Sequence, residues 1–242
     1  MRLRLVLTAV VSFLVPLCSA GTTPQRGVTV DNTHFNSDMS VAFVRVVNNS
    51  EKVVTAYTLS IDLMFTGGHH THFEQTRDLL PVMTSNQQNS GSSTVLEGGV
   101  APRKDQEMRV DIGQKGVLSI NAVVNAVVYL DLSAEGDPAA LTRIMSDRRE
   151  WAATLEEGAT IVSDAVADGV TPDPAGLALK RMKDLLAATS SVQGSGMRAL
   201  TLKMMIADIQ SKSNKGDLKL YALHKNQEAQ HGFNQSKIRE AN

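Results

Sequence analysis

SINAVVNAVVYLDLSAEGDP, residues 119–138, holds the change of pattern that decides the fold. In its first part Ile120, Ala122, Val124, Ala126, Val128, Leu130 and Leu132 alternate with Asn121, Asn125 and Asp131. A period of two lines each face of a strand with alternate side chains, so the segment reads as a strand with one face on a core. Val123, Val127 and Tyr129 fall on the other face, where they would accept a covering helix. At Gly136-Asp137-Pro138 the period changes: Asp137 is placed to cap a helix and Pro138 to open it.

Upstream the period stays at two. Tyr57, Leu59, Ile61, Leu63 and Phe65 alternate with Thr58, Ser60 and Asp62, and Met108, Val110 and Ile112 with Arg109 and Asp111. Residues 41–47 are apolar on both faces apart from Arg45, as in a strand that is centrally placed or covered on both sides. The polar run from Asn48 to Lys52 then predicts a hairpin, and Gly67-Gly68 a second turn, with a returning strand from His69 to Phe73. Strands at short intervals without helices between them predict an antiparallel β-sandwich over residues 21–135.

Downstream the apolar spacing is helical. Leu141, Ile144, Met145, Trp151, Leu155 and Val162 form a first helix that Gly169 and Pro172 end. Asp173-Pro174 repeats the start signal ahead of Leu177, Met182, Leu185 and Leu186. Leu202, Met205, Ile206 and Ile209 mark a third helix, and Asp217 would cap a fourth holding Leu218, Tyr221 and Ala222. The fold class is therefore α+β: a sandwich followed by a bundle of about four helices over residues 136–223. Residues 224–242 are polar, lack an apolar stripe and are expected to fray.

The first twenty residues carry an address. Arg2 and Arg4 precede an apolar run from Leu5 to Leu17, and Cys18-Ser19-Ala20 supplies the small residues of a cleavage site. The run is too short for a membrane span, and its length and flanks fit an export signal over residues 1–20. Export predicts a periplasmic or extracellular protein. Cys18 is the only cysteine, so a mature chain starting near Gly21 has neither disulfides nor thiol chemistry. That chain also has a net charge of −3 with histidines neutral, which gives no footing for nucleic acid.

The string from Asn48 to Tyr57, NNSEKVVTAY, and the later stretch from Val127 to Asp137 resemble segments of uncharacterised exported bacterial proteins with an immunoglobulin-like or fibronectin type III-like domain followed by helices. The resemblance covers roughly residues 28–150 and implies a fold, with no activity and no catalytic residue to carry over.

One polar cluster bears on chemistry: His69, His70 and His72 lie within four positions. On a strand His70 and His72 share a face, and two imidazoles completed by His69 or a carboxylate would suit zinc or copper. The competing reading is three imidazoles on a solvated turn and edge strand. His224, Glu228 and His231 recur at helical spacing, and solvation is the favoured reading there also. Met197, Met204 and Met205 would line a groove or fill a core, and the polar run from Thr84 to Gly99 is a long recognition loop or a mobile one. No hydrolase elbow, zinc-protease helix, phosphate loop or Ser-x-x-Lys pair occurs. The sequence thus predicts an exported noncatalytic binding or interaction module without a required cofactor. Its partner would be a protein or envelope component, and self-association is compatible with the pattern. The alternatives are a metal-binding protein using His69, His70 and His72, and a hydrolase with a site between the halves.

Overall fold

A computed structural model describes residues 27–36, 40–84, 98–113, 116–168, 170–189, 196–211 and 215–238. Residues 1–20, where the sequence predicts an export signal, and nearly all of the long polar loop lie outside these residues. Seven strands come first: β1 (Val28–Phe35), β2 (Val41–Asn48), β3 (Val54–Phe65), β4 (His70–Asp78), β5 (Asp105–Asp111), β6 (Val117–Tyr129) and β7 (Ala134–Gly136). A short helix, α1 (80–84), lies between β4 and β5. Four long helices follow: α2 (Pro138–Ala167), α3 (Pro174–Thr189), α4 (Gly196–Gln210) and α5 (Lys215–Gln235). The class is α+β as the pattern predicts, with five helices among the described residues rather than four.

The strands form two antiparallel sheets, β1-β2-β5 and β4-β3-β6-β7. Ala42, Val44, Val46, Met108 and Val110 from the first share one core with Tyr57, Leu59, Ile61, Leu63 and Val124 from the second. The alternation in β3 and β5 therefore marks the buried face correctly, and β2, apolar on both faces, is the central strand of its sheet.

The expected hairpin after β2 is not formed, because β2 and β3 belong to different sheets. Asn48 makes the crossover. Its buried amide donates to the carbonyls of Lys52 at 2.7 Å, Val100 at 2.9 Å and Ala101 at 3.1 Å, and its Oδ1 accepts the Ser50 N–H at 3.0 Å. A side chain that substitutes for a backbone partner reverses the chain without pairing the flanking strands. The Gly67-Gly68 turn does join β3 to β4, both glycines having positive φ.

β6 departs from strict alternation. Thr58 pairs with Ala126 and Leu59 with Val124, so Asn125 is an extra residue; Val54 pairs with Tyr129 and Ala56 with Val128, so Thr55 is another. Each is a bulge, and a bulge inverts the parity of everything beyond it. Ala122 and Val124 face the core between the sheets before Asn125, and Val127 and Tyr129 do so after it. Ala126 and Val128, with Ala56, thereby turn outward beneath Ala140, Ile144 and Met145 of α2. Val127 and Tyr129 are not the helix acceptors that alternation predicts, and Val123 is 48% exposed. Leu130 and Leu132 lie in the turn after β6, Leu132 with φ of 69°.

α2 starts as predicted, with the Asp137 carboxylate accepting the Ala140 N–H at 2.8 Å. Gly136 makes that junction, since with φ of 114° a Cβ there would lie 2.1 Å from the Asn125 carbonyl. Asp173 accepts the Gly176 N–H at 2.9 Å in the first turn of α3. Trp151, Leu155, Val162, Met182, Met205, Ile209, Leu218 and Tyr221 form the bundle core. Met205 is core and Met197 packs against it, whereas Met204 is exposed.

The chain expected to fray beyond Leu223 continues as helix to Gln235. It docks on small residues in place of an apolar stripe: Ala229 is buried, and a Cβ on Gly232 would come within 2.8 Å of the Trp151 ring. Asp217 lies inside the first turn of α5 rather than capping it. No helix among the described residues is long and apolar enough to cross a membrane.

Candidate functional site

The outer face of β4-β3-β6 has two parts, one under α2 and one open. In the open part His72 pairs across β3 with Asp62, and Asp62 with Asn121; Glu74 pairs with Ser60, and Ser60 with Val123. Asp62 Oδ1 lies 2.8 Å from His72 Nδ1, which fixes the ring and directs Nε2 away from the carboxylate. His70 is exposed at the next outward position of β4. Glu74 ends this row: its carboxylate accepts the Asn125 amide at 2.6 Å and pairs with Arg143 of α2.

The start of β4 divides the histidine cluster. His70 and His72 share the open face, while His69 lies outside the strand, with its Nε2 3.2 Å from Thr71 Oγ1 and its ring 5.7 Å from that of Phe65. Among the described residues no group of three or more His, Cys, Asp or Glu is placed to hold a metal ion. Further along the chain, Glu228 is 5% exposed and bound to Lys225 at 3.0 Å, so its carboxylate is already paired, and His231 is half-buried against the body of the protein.

The covered part holds a residue that the sequence reading passes over. Arg148 of α2 has a side chain 1% exposed. Its Nε donates to Asp78 Oδ2 at 2.8 Å and its Nη2 to Asp78 Oδ1 at 3.1 Å, a two-point contact with the end of β4. Nη2 also donates to Thr55 Oγ1 at 2.9 Å, and Nη1 to the Gln235 carbonyl at 3.0 Å. One guanidinium thus ties a bulge of β3, the end of β4, α2 and the end of α5 together. Asp78 is equally committed, because its Oδ1 accepts the Leu80 N–H at 3.0 Å at the start of α1. Leu79 enters the core between the sheets and Leu80 the bundle core.

A signal for Arg148 is present in the sequence. It stands one turn after Ile144 and one turn before Ala152, inside the apolar stripe of α2. An arginine there must find a carboxylate or leave the stripe. What the sequence does not identify is which carboxylate, since Asp78 lies seventy positions away.

Around this clasp, burial and then the charge of Asp78 raise the Asp147 carboxyl above its ordinary range. Burial, followed by the charge of Arg148, lowers the His231 imidazole. Elsewhere Lys52 Nζ lies 2.7 Å from Ser133 Oγ, a spacing that superficially suggests a serine nucleophile and a lysine base. The same ammonium pairs with Asp131 at 2.8 Å, and the Ser133 hydroxyl donates to Asp131 at 2.5 Å. Those bonds, with Lys52 first, hold the Asp131 carboxyl down at about 2. The carboxylate therefore keeps the proton of the hydroxyl directed away from lysine, as in a braced turn. A pocket of about 40 Å³ between β6 and β7, lined by Asn125, Glu135 and Gly136 among others, has room for little more than water.

No family model matches the chain, and no curated protein does. A solved structure of a hypothetical protein from Peptoclostridium difficile 630 is similar over 48% of this chain and 88% of that one, at 12% identity and a TM-score of 0.30. A likeness of that size says nothing of what this chain does.

Proposed function

We propose that the chain is an exported, noncatalytic interaction module, periplasmic or extracellular, that binds a protein or envelope component through the open part of its four-stranded sheet. The observation that carries this reading is the divided outer face: α2 covers Ala56, Ala126 and Val128, and beyond the Asn125 bulge the same strands present His70, His72, Asp62, Asn121 and the half-exposed Val123. Rigid strands with fixed polar groups around an apolar side chain are a common basis for a recognition surface. The strand order β1-β2-β5 and β4-β3-β6-β7, antiparallel throughout, supports an immunoglobulin-like or fibronectin III-like sandwich as the scaffold. The basic, apolar and small-residue succession of residues 1–20 supports export.

A photo-crosslinker placed at Asn121 tests this in native envelope extracts, with exposed Asp184 of α3 as the control position. A discrete adduct from position 121, absent from position 184 and lost on Val123→Glu, is the expected result. Equal labelling from both positions, or none from 121, would sink the reading.

One observation favours a second reading, a metal-binding protein. The contact between Asp62 and His72 is the arrangement that orients a metal-ligating imidazole, and His70 stands next to it on the same face. His70 and His72 would hold zinc or copper, with the remaining positions filled by water or a ligand. Equilibrium dialysis with zinc should give one bound equivalent that His72→Ala abolishes; unchanged binding in the variant would end this reading.

A further inference from the structure

The end of α5 is held by charge and close contact. Nη1 of Arg148 takes the Gln235 carbonyl at 3.0 Å, and Nη2 of Arg149 the Ser236 carbonyl at 3.3 Å. Two cations on the terminal carbonyls of a helix satisfy groups that have no partner within it. One turn earlier, His231 has its Nε2 buried, as Gln235 has its Oε1, and neither atom has a hydrogen-bond partner among the described residues. On this stretch Gly232 lies against Trp151, too close for any larger residue. Close packing at Gly232, next to a half-buried titratable ring, leaves little room to take up a charge by rearranging locally.

We infer that the C-terminal end of α5 is an acid-released latch: a proton taken up by His231 beside the Arg148 guanidinium frees the Gln235 and Ser236 carbonyls and lets the last turns of α5 leave α2. Arg148 of α2 bears on His231; around that guanidinium stand Asp78 of β4 and its chain neighbours Asp147 and Arg149, and α5 itself carries Lys225 and Glu228. Arg148 opposes the imidazolium. Asp78 is consumed by Arg148, and Glu228 by Lys225, so neither carboxylate is left to receive the new charge. A helix C-terminus ordinarily favours a histidine cation, but here the two arginines already occupy its carbonyls.

The neutral ring is therefore the form that the closed latch selects. Its folded pKa lies below the unfolded value, so the closed state loses its advantage as pH falls from the ordinary histidine range. The latch acts through α5 and α2, and stands whether or not the open sheet face binds a partner.

Hydrogen exchange on the full chain tests it. Corrected for intrinsic rates, the wild-type amides of residues 229–236 should lose protection as pH falls from about 7.5 to about 5, and those of β3 should not. His231→Gln, which cannot take the proton, should remove this dependence, and Asp147→Asn should leave it in place. Constant wild-type protection, an undiminished response in H231Q, or a response abolished by D147N would each overturn the proposal. If H231Q does not fold, the imidazole resonance of His231 in the wild type decides: it must titrate below the ordinary range and in step with the loss of protection, and a ring that titrates normally refutes the latch.

Discussion

On the outer face of the four-stranded sheet, the part beneath α2 and the part beyond Asn125 are built from the same strands, yet they meet opposite surroundings. Beneath the helix lie Ala56, Ala126 and Val128, small enough to let α2 approach, with Arg148 placed at the edge to join four elements. Beyond the bulge lie Asp62, His72 and Asn121, which water can solvate. One inserted residue in β6, Asn125, separates them. The comparison teaches that a bulge can turn a single sheet face into a docking surface and a free surface without changing the composition of either strand.

The largest break in that comparison is removal of the cover. A chain ending at Glu135 would expose Ala56, Ala126 and Val128 and strand Asp78 without Arg148. We expect it to aggregate and to give no cooperative unfolding transition; a soluble, monomeric, cooperatively folding fragment would show that the covered part needs no cover.

Next comes the clasp alone. Arg148→Met keeps much of the side-chain volume and leaves the Asp78 carboxylate unpaired in the interior. Breaking a buried pair from one side costs roughly 3–5 kcal/mol, a large share of the ~5–15 kcal/mol that holds a typical domain together. Urea unfolding should register that loss, and adding Asp78→Asn should recover part of it because the uncompensated charge is gone. Additive losses in the double variant would mean that Arg148 and Asp78 do not act as a pair. Gly136→Ala disturbs the start of α2 through the backbone, setting a methyl 2.1 Å from the Asn125 carbonyl at a φ of 114°. A loss of about 2–3 kcal/mol is expected, and a neutral substitution would show that the chain can leave β7 by another path.

How much of this arrangement is legible in the sequence depends on the type of contact. Alternation in β3 and β5, and the aspartate-proline starts ahead of α2 and α3, are local signals, and the structure follows them. The inversion at Asn125 is not local, because the register of β6 depends on which residue of β3 it meets, and VVNAVV reads equally well in either parity. The crossover at Asn48 depends on carbonyls more than fifty positions away. The last turns of α5 escape notice because their packing rests on Ala229 and Gly232, which leave no apolar stripe. Of the candidate site, the shared face of His70 and His72 is legible from strand period; the Asp62 partner and the exclusion of His69 require the register.

Alkali sharpens the comparison of interiors. All three tyrosines of the chain resist ionisation, with burial the leading cause for each, and Tyr57 in the core between the sheets is pushed up to about 12. A folded pKa above the unfolded value near 10 contributes stability that is complete below that value and is lost as pH rises through the folded one. Tyrosinate absorbance should therefore stay flat through pH 10 and rise together with unfolding. A tyrosine that titrates near 10 in the folded chain would place at least one ring nearer to water than its surroundings allow.

The smallest effect belongs to the open part, and it distinguishes a free surface from a concealed structural site. Asp62 and His72 have side chains 52% and 59% exposed, so water screens their contact and two mobile groups lose freedom in making it. Asp62→Ala and His72→Ala should each shift stability by less than about 1 kcal/mol, with a coupling of roughly 0.2–1 kcal/mol in the double variant. Urea unfolding of the four proteins in the cycle measures both. A loss as large as that of Arg148→Met would mean that the open part also braces the fold, and the contrast across Asn125 would fail. A small loss leaves these side chains dispensable to folding, so a change in partner or zinc binding in the same variants can be assigned to the surface itself.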